Sequence, residues 1–155
     1  MSGIDIVEEF IREEGLDAEV IRFAKPVRTV EDVEKMGIPP KAVVKTLIVK
    51  VDDSFVAVLI RGDAKLDLNK LKRVFGARSA RMASPPEVRE VTGVSIGAVS
   101  PLMPYAKRIK VIIDKGVFEL EDAYGGGGDE KALVLFHPRE VAEKLNAMIA
   151  DVARA

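Results

Sequence analysis

The sequence predicts an α/β fold: a single domain, residues 1–155, with a mixed, barrel-like β-sheet surrounded by helices. Three observations carry this reading. A chain of 155 residues suffices for one buried core and is too short for two ordinary ones. Hydrophobic residues make up 48% and charged residues 32%, the balance of a globular chain rather than a disordered one. Helical and strand patterns follow one another as α, β, α, β, β, α, β, α, β, β, α, which is not a regular βαβ series.

Each element has its own local reason. Ile4, Val7, Phe10 and Ile11 form a helical stripe that Gly15 ends. Glu19–Phe23 is a short strand, and Thr29 caps a helix running to Met36, with Gly37 as the stop. Val43–Val51 is β-branched and apolar; Asp52-Asp53 is a turn signal, and Phe55–Ile60 returns antiparallel to close a hairpin. Asp67 caps Leu68–Phe75, and Gly76 follows. Ala77–Met82 is the next strand, and Ser84-Pro85-Pro86-Glu87 is a capping box whose helix stops near Gly93. Ile109–Ile113 and Ala132–Phe136 are strands. The last helix is expected to start at Pro138 and to bury Val141, Leu145, Met148, Ile149 and Val152.

The small counts exclude whole classes of chemistry. With no Cys there is no thiolate nucleophile, disulfide or Cys-ligated metal, and a single His excludes sites built from two imidazoles of this chain. No apolar run reaches the roughly 18–20 residues of a membrane span, and the acidic start MSGIDIVEEF is unlike a secretory signal, so the expected location is cytoplasmic. The net charge of −1 hides a strong asymmetry. Residues 1–36 carry 5 bases and 10 acids, residues 37–115 carry 15 and 7, and residues 116–155 carry 4 and 8. The basic middle is either a solvated surface or a positive face for a polyanion.

Several positions break their local pattern. Lys45 interrupts the apolar row Val43, Leu47, Val49 and Val51. It reads as a lysine snorkelling at a sheet edge, as one paired with a buried carboxylate, or as a cation at the floor of a pocket. Gly93–Pro101 is a loop of small residues with two glycines, either a plain connection or a close backbone approach to a ligand oxygen. Gly125–Gly128, followed by Asp129, reads as a flexible hairpin tip or as backbone wrapped around a substrate. His137 precedes Pro138, so it reads as a helix N-cap, with Phe136 and Val141 as a hydrophobic staple. Arg61-Gly62-Asp63 matches an adhesion tripeptide and reads as the loop after a strand. No phosphate-binding glycine motif is present.

These segments form an ordered series: Pro39-Pro40, Val44-Lys45-Thr46-Leu47, Ile60-Arg61-Gly62-Asp63, Leu66-Asp67-Leu68-Asn69-Lys70-Leu71, Ala83-Ser84-Pro85-Pro86-Glu87-Val88, Thr92-Gly93 and Gly97-Ala98-Val99-Ser100-Pro101. The series resembles the YbaK/ProX family, free-standing relatives of the editing domain of bacterial prolyl-tRNA synthetases, and spans roughly residues 20–150. The resemblance implies a barrel-like α/β fold and trans-editing: hydrolysis of the ester between a wrong amino acid and the 3′-terminal adenosine of a tRNA. It implies no cofactor and no metal. Its partners would be aminoacyl-tRNA, commonly tRNA(Pro), and prolyl-tRNA synthetase, with no membrane.

Carried over residue by residue, the resemblance makes Lys45 and Gly97 the catalytic positions: Lys45 as the family's strand lysine, Gly97 as an amide donor to the oxyanion. Thr46, Ala98, Val99, Ser100 and Pro101 would contact substrate, as would Gly127, Gly128 and Asp129 of the glycine-rich segment. Val44 and Ile60, with Ala98 and Val99, are candidates for a small apolar pocket. Thr46 stands where alanine-specific members tend to carry Asn, and no His stands in the glycine-rich segment. The lysine–threonine pair is closer to the cysteine-specific type, which leaves Cys, Ala and Ser open. Lys70, Lys72, Arg73, Arg78 and Arg81, with the cluster Lys107, Arg108 and Lys110, are expected to hold acceptor-stem phosphates. The alternative functions are a non-catalytic module that binds aminoacyl-tRNA or aminoacyl-adenylate, and an interaction protein whose lysine is structural.

Overall fold

In the computed structural model, which describes residues 1–155, ten strands and six α-helices follow in the order α1 (Gly3–Glu14), β1 (Glu19–Arg22), α2 (Val30–Glu34), β2 (Val44–Val51), β3 (Ser54–Arg61), β4 (Lys65–Leu66), α3 (Leu68–Phe75), β5 (Ala80–Met82), α4 (Pro85–Thr92), β6 (Lys110–Asp114), α5 (Lys115–Phe118), β7 (Ala123–Gly126), β8 (Ala132–Phe136), α6 (Pro138–Leu145), β9 (Met148–Ala150) and β10 (Ala153–Arg154). The β2–β3 hairpin organises the rest. Its β-branched rows favour extended pairing, and Asp52 enters the left-handed region at φ 51° to close the two-residue turn between Val51 and Ser54.

The strand order of the main sheet is β5-β2-β3-β6-β9. It is mixed, because β6 joins β3 and β9 joins β6 in parallel, whereas β2 pairs antiparallel with both β3 and β5. A second, antiparallel sheet of order β1-β8-β7 meets the start of β2 through a parallel bridge between Val43 and Tyr124. A short ribbon pairs β4 with β10. The result is the mixed, partly closed sheet with flanking helices that the sequence predicts.

Strand alternation sorts the hairpin into two cores. Val44, Ile48, Ala57 and Leu59 face the larger one, with α1, α4, α6 and the β1-β8-β7 sheet. Val49, Val51, Val56, Val58 and Ile60 face the smaller one, closed by Leu71 of α3 and by Val152. The helix caps follow the local signals. Thr29 and Ser84 form capping boxes with Asp32 and Glu87, Asp67 accepts from the amides of Asn69 and Lys70, and Gly15, Gly76 and Gly93 end their helices with positive φ. Ser2 and Asp5 add a further capping box at the start of α1.

The chain departs from the sequence reading in several places. The last helix stops at Leu145, because Asn146 turns left-handed (φ 52°) and its N–H caps the carbonyls of Ala142 and Glu143. Met148 and Ile149, expected on that helix, instead extend the sheet beside Ile112 and Ile113. The second departure is the glycine run. Gly125 and Gly126 are strand residues of β7, paired with Val134 and Leu133, not the tip of a loop. The expected strand from Ala77 is also shorter, starting at Ala80. No helix is long and apolar enough to cross a membrane.

Candidate functional site

The edge of β2 that faces away from β3 is incompletely covered. β7 meets it at Val43, and β5 meets it from Val49 to Val51. The Gly62 amide donates to the Val43 carbonyl at 2.7 Å and the Ala83 amide to the Ile48 carbonyl at 3.0 Å. Hydrogen-bonding direction alternates along a strand, so the main-chain groups of Thr46 point into the gap between β7 and β5. A cavity of about 30 Å³ opens there, lined by Thr46, Met82, Val88, Ile96 and Val99 among others. The Thr46 hydroxyl is buried and has no hydrogen-bond partner, an arrangement that costs stability unless something fills the need.

The loop across the cavity is the segment Gly93–Pro101. Ile96–Ala98 form a single 3₁₀ turn, with Ile96 exposed by 59%, and Gly97 sits in its first turn, where amides lack an intrahelical acceptor. Val99 turns inward to the core. Ser100 and Pro101 lie beneath the loop surface. The Ser100 hydroxyl accepts from the Leu102 amide at 3.2 Å, and the fully buried Tyr105 hydroxyl donates to the Ser100 carbonyl at 2.8 Å. These two residues, expected to contact substrate, therefore shape the loop from below.

The glycine-rich segment supports the same loop from behind. A Cβ on Gly126 would run into the Val99 carbonyl, so only glycine lets β7 pass this close. Gly128 (φ 95°) approaches the backbone of Gly3 just as closely, and Gly127 packs on Ala132. Asp129 folds back on its own turn, accepting from the Lys131 amide at 2.8 Å. Gly127 and Gly128, expected to touch substrate, thus spend their close approach on protein backbone.

Lys45 leaves β2 on the opposite face from Thr46, in the row of Leu47 and Val49. Its ammonium donates to the Ala64 carbonyl at 2.8 Å. Partial burial lowers its pKa, while the nearby Asp63 carboxylate pulls it up and Lys65 pulls it down. Asp63 is itself held by a two-pronged pair with Arg61, at 2.9 and 2.6 Å, and its pKa is lowered by that bond. The lysine is neither buried unpaired nor snorkelling freely. Of the four pocket candidates only Val99 lines the cavity; Val44 packs in the same larger core, Ile60 belongs to the smaller one, and Ala98 is not among the lining residues.

Sequence reasoning missed Glu130. Its Oε1 lies 3.5 Å from where a Cβ of Gly97 would stand, and its Oε2 accepts from Arg28 Nε at 3.1 Å. This is the carboxylate beside the proposed oxyanion donor; the acidic pair Asp129-Glu130 after the glycines is the signal that points to it. No group of three or more His, Cys, Asp or Glu side chains is placed to hold a metal ion.

The basic residues divide into two sets. Lys70 donates to Asp151 and to the Ala153 carbonyl, Lys107 pairs with Glu14 at 2.8 Å, and Arg81 grips Glu87 at 2.8 and 2.9 Å. That grip, with the Ser84 amide, brings the Glu87 pKa down to about 2. These three cations tie elements together. Lys72, Arg73, Arg78, Arg108 and Lys110 have no carboxylate within salt-bridge distance, and Lys72 and Arg73 line a shallow depression with Asn69 and Gly76.

Comparison with known proteins identifies the architecture. The family model of the aminoacyl-tRNA editing domain matches residues 24–144. Proline–tRNA ligase of Thermotoga maritima is 37% identical over 117 residues, 74% of this chain and 20% of that one. The enzyme of Halalkalibacterium halodurans is 34% identical over 106 residues, 68% of this chain and 18% of that one. The chain therefore spans about a fifth of the length of these curated relatives. Among solved structures, a hypothetical protein superposes with a TM-score of 0.86 at 39% identity, covering 96% of this chain and 99% of its own. A candidate trans-editing enzyme for prolyl tRNA synthetase superposes at 0.89 and 25% identity, covering 100% and 99%. The match over most of its length and the shared fold show that this chain belongs to the aminoacyl-tRNA editing domain family.

Proposed function

We propose that the chain is a trans-editing deacylase that cleaves mischarged tRNA, with Cys-tRNA(Pro) and Ala-tRNA(Pro) as the first substrates to test. The observation that carries this reading is the small cavity at Thr46. Its volume of about 30 Å³ is that of one methyl-sized group or water. An Ala methyl matches such a space and a Cys side chain exceeds it by one sulfur atom, whereas a pyrrolidine ring is larger still. Steric exclusion is needed, because one methylene is otherwise worth only about 1–3 kcal/mol of discrimination.

The aminoacyl ester is already activated, so positioning and electrostatics suffice. The Thr46 main chain, at the open strand edge, holds the aminoacyl group by strand-like hydrogen bonds. The Gly97 amide faces the carbonyl oxygen as negative charge builds on it. Glu130 beside Gly97 suits the α-ammonium of the amino acid. A water oxygen forms the new bond to the carbonyl carbon, the ribose oxygen leaves, and the proton released by water ends on that oxygen. Lys45 acts from the opposite face of the strand as a fixed positive charge toward the tRNA end. No metal and no covalent enzyme intermediate is required.

The test offers the purified chain tRNA(Pro) carrying Cys, Ala, Ser or Pro, and measures ester loss against buffer. Faster loss of Cys or Ala, with Pro spared, supports the reading; no acceleration on any of them refutes it. Binding of aminoacyl-tRNA without ester loss would favour a non-catalytic module.

A further inference from the structure

A cavity larger than that at Thr46 lies elsewhere in the molecule. A groove of about 680 Å³ lies at the hairpin end of the main sheet, lined by Phe55 and Val56 of β3, Phe75 of α3, Val91 of α4, and Arg108 and Lys110. It has the size of a ligand site, and the site at Thr46 makes no use of it. The two ring faces are each met by a cation, Lys50 at 5.8 Å from the Phe55 centroid and Lys110 at 5.8 Å from that of Phe75. The depression holding Lys72 and Arg73 shares Ala77 with the groove and continues its positive rim. The acid lining the groove, Asp52, is engaged by the backbone: its Oδ1 accepts from the amides of Arg78 and Ser79 at 3.0 Å each.

Flat aromatic faces flanked by cations without carboxylate partners are the chemistry that single-stranded nucleic acid requires, bases on the rings and phosphates on the cations. A peptide would need sheet-edge hydrogen bonding or acidic side chains spread along the rim, and the two aromatic faces favour bases. We propose that this groove binds the unpaired 3′ segment of an RNA, upstream of the end that reaches Thr46. This proposal rests on the editing reading for its direction, not for its chemistry. Geometry supports the direction. Thr46 and Val51 are five residues apart on β2, about 16 Å, a span covered by about five stacked nucleotides or fewer extended ones. The helix α4 walls both places, with Val88 on the small cavity and Val91, one turn on, in the groove.

The experiment measures binding of uncharged RNA hairpins to the full chain by fluorescence anisotropy, comparing an unpaired 3′ tail with a blunt end. The tailed hairpin is expected to bind at least tenfold more tightly. Arg108→Glu with Lys110→Glu should weaken it at least tenfold and reduce the slope of log K against log salt by about 1 to 2. Phe55→Ala should weaken it several-fold while leaving that slope unchanged, with Phe55→Leu as the variant that keeps the packing; thermal melting confirms that each is folded. Equal binding of tailed and blunt hairpins, or no effect of the charge reversal, overturns the proposal. So does protection of the groove amides from hydrogen exchange by prolyl-tRNA synthetase but not by tailed RNA, which would make it a protein-docking face. Groove-dependent RNA binding by a chain that cleaves no ester would uphold this site and refute the editing reading, so the two failures are distinct.

Discussion

Lys45 and Thr46 are chain neighbours that leave β2 on opposite faces, and each places a polar group in an otherwise apolar row. Their environments differ sharply. The lysine is satisfied, with its ammonium on the Ala64 carbonyl and Asp63 close by. The threonine hydroxyl is buried without a partner, at the mouth of a small cavity. A satisfied cation is compatible with a purely structural role, whereas an unsatisfied buried hydroxyl costs about 1–3 kcal/mol. The residue most conspicuous in the sequence is thus the better anchored of the two, and its quieter neighbour carries a buried hydroxyl with no partner in the protein.

The comparison can be broken most directly at Lys45. If its charge assists ester cleavage, Lys45→Met, which keeps an apolar stem, should lower kcat/KM by about 100-fold, the scale of one lost electrostatic contact. A melting temperature near that of the wild type would separate this from unfolding, and full activity would leave Lys45 a structural residue. Next in size is Gly126→Ala. It forces the Val99 carbonyl away from β7 and should destabilise the fold by about 1–3 kcal/mol, read by denaturant titration, while deacylation falls with the displaced loop. Thr46→Val should act in the opposite sense on stability. Removing the unsatisfied hydroxyl without changing shape is expected to stabilise the chain by about 1 kcal/mol, and to lower the preference for Cys over Ala in the deacylation assay. An unchanged stability would mean that the hydroxyl already has a partner in solution.

The smallest expected effect lies away from both faces, at His137. The Glu121 carbonyl at 3.3 Å, with Asp17 at 3.0 Å and Asp122 at 2.8 Å, raises its pKa above the ordinary 6.5 against a modest desolvation. A raised folded pKa contributes stability that is fully present below the unfolded value and is lost as pH rises through the folded one. The wild type should therefore lose a small part of its melting temperature between pH 6 and pH 8.5, and His137→Gln should not show that loss.

Much of the fold was legible because its signals are local. The Asp52 turn, the Thr29, Asp67 and Ser84 caps and the stops at Gly15, Gly76 and Gly93 each depend on bonds spanning a few residues and appear as expected, whereas the helix from Thr29 ends at Glu34, short of Gly37. His137 occupies the N-cap position, with Phe136 and Val141 both buried beside it, although its side chain bonds to Glu121 and Asp17 rather than to the helix. Met148 and Ile149 were misread because their apolar spacing suits a helix face, and the pattern cannot show that Asn146 turns left-handed. In the site, Lys45, Gly97 and Val99 stand out in the sequence, while Glu130 reaches Gly97 across the chain and leaves only the trace of an acid after the glycines.

The sequence by itself determined the element types, the hairpin, the basic middle and the order of segments that marks the family. All of these are carried by neighbours along the chain or by composition. The tertiary structure alone decided which faces those elements share. It decided that Gly126 passes against the Val99 carbonyl, that Lys70, Arg81 and Lys107 pair with Asp151, Glu87 and Glu14, and that Phe55 and Phe75, packed against different cores, both line one groove. Lys107 finds Glu14 from 93 residues away. No local pattern encodes such a meeting, because it depends on the path of the whole chain through two cores.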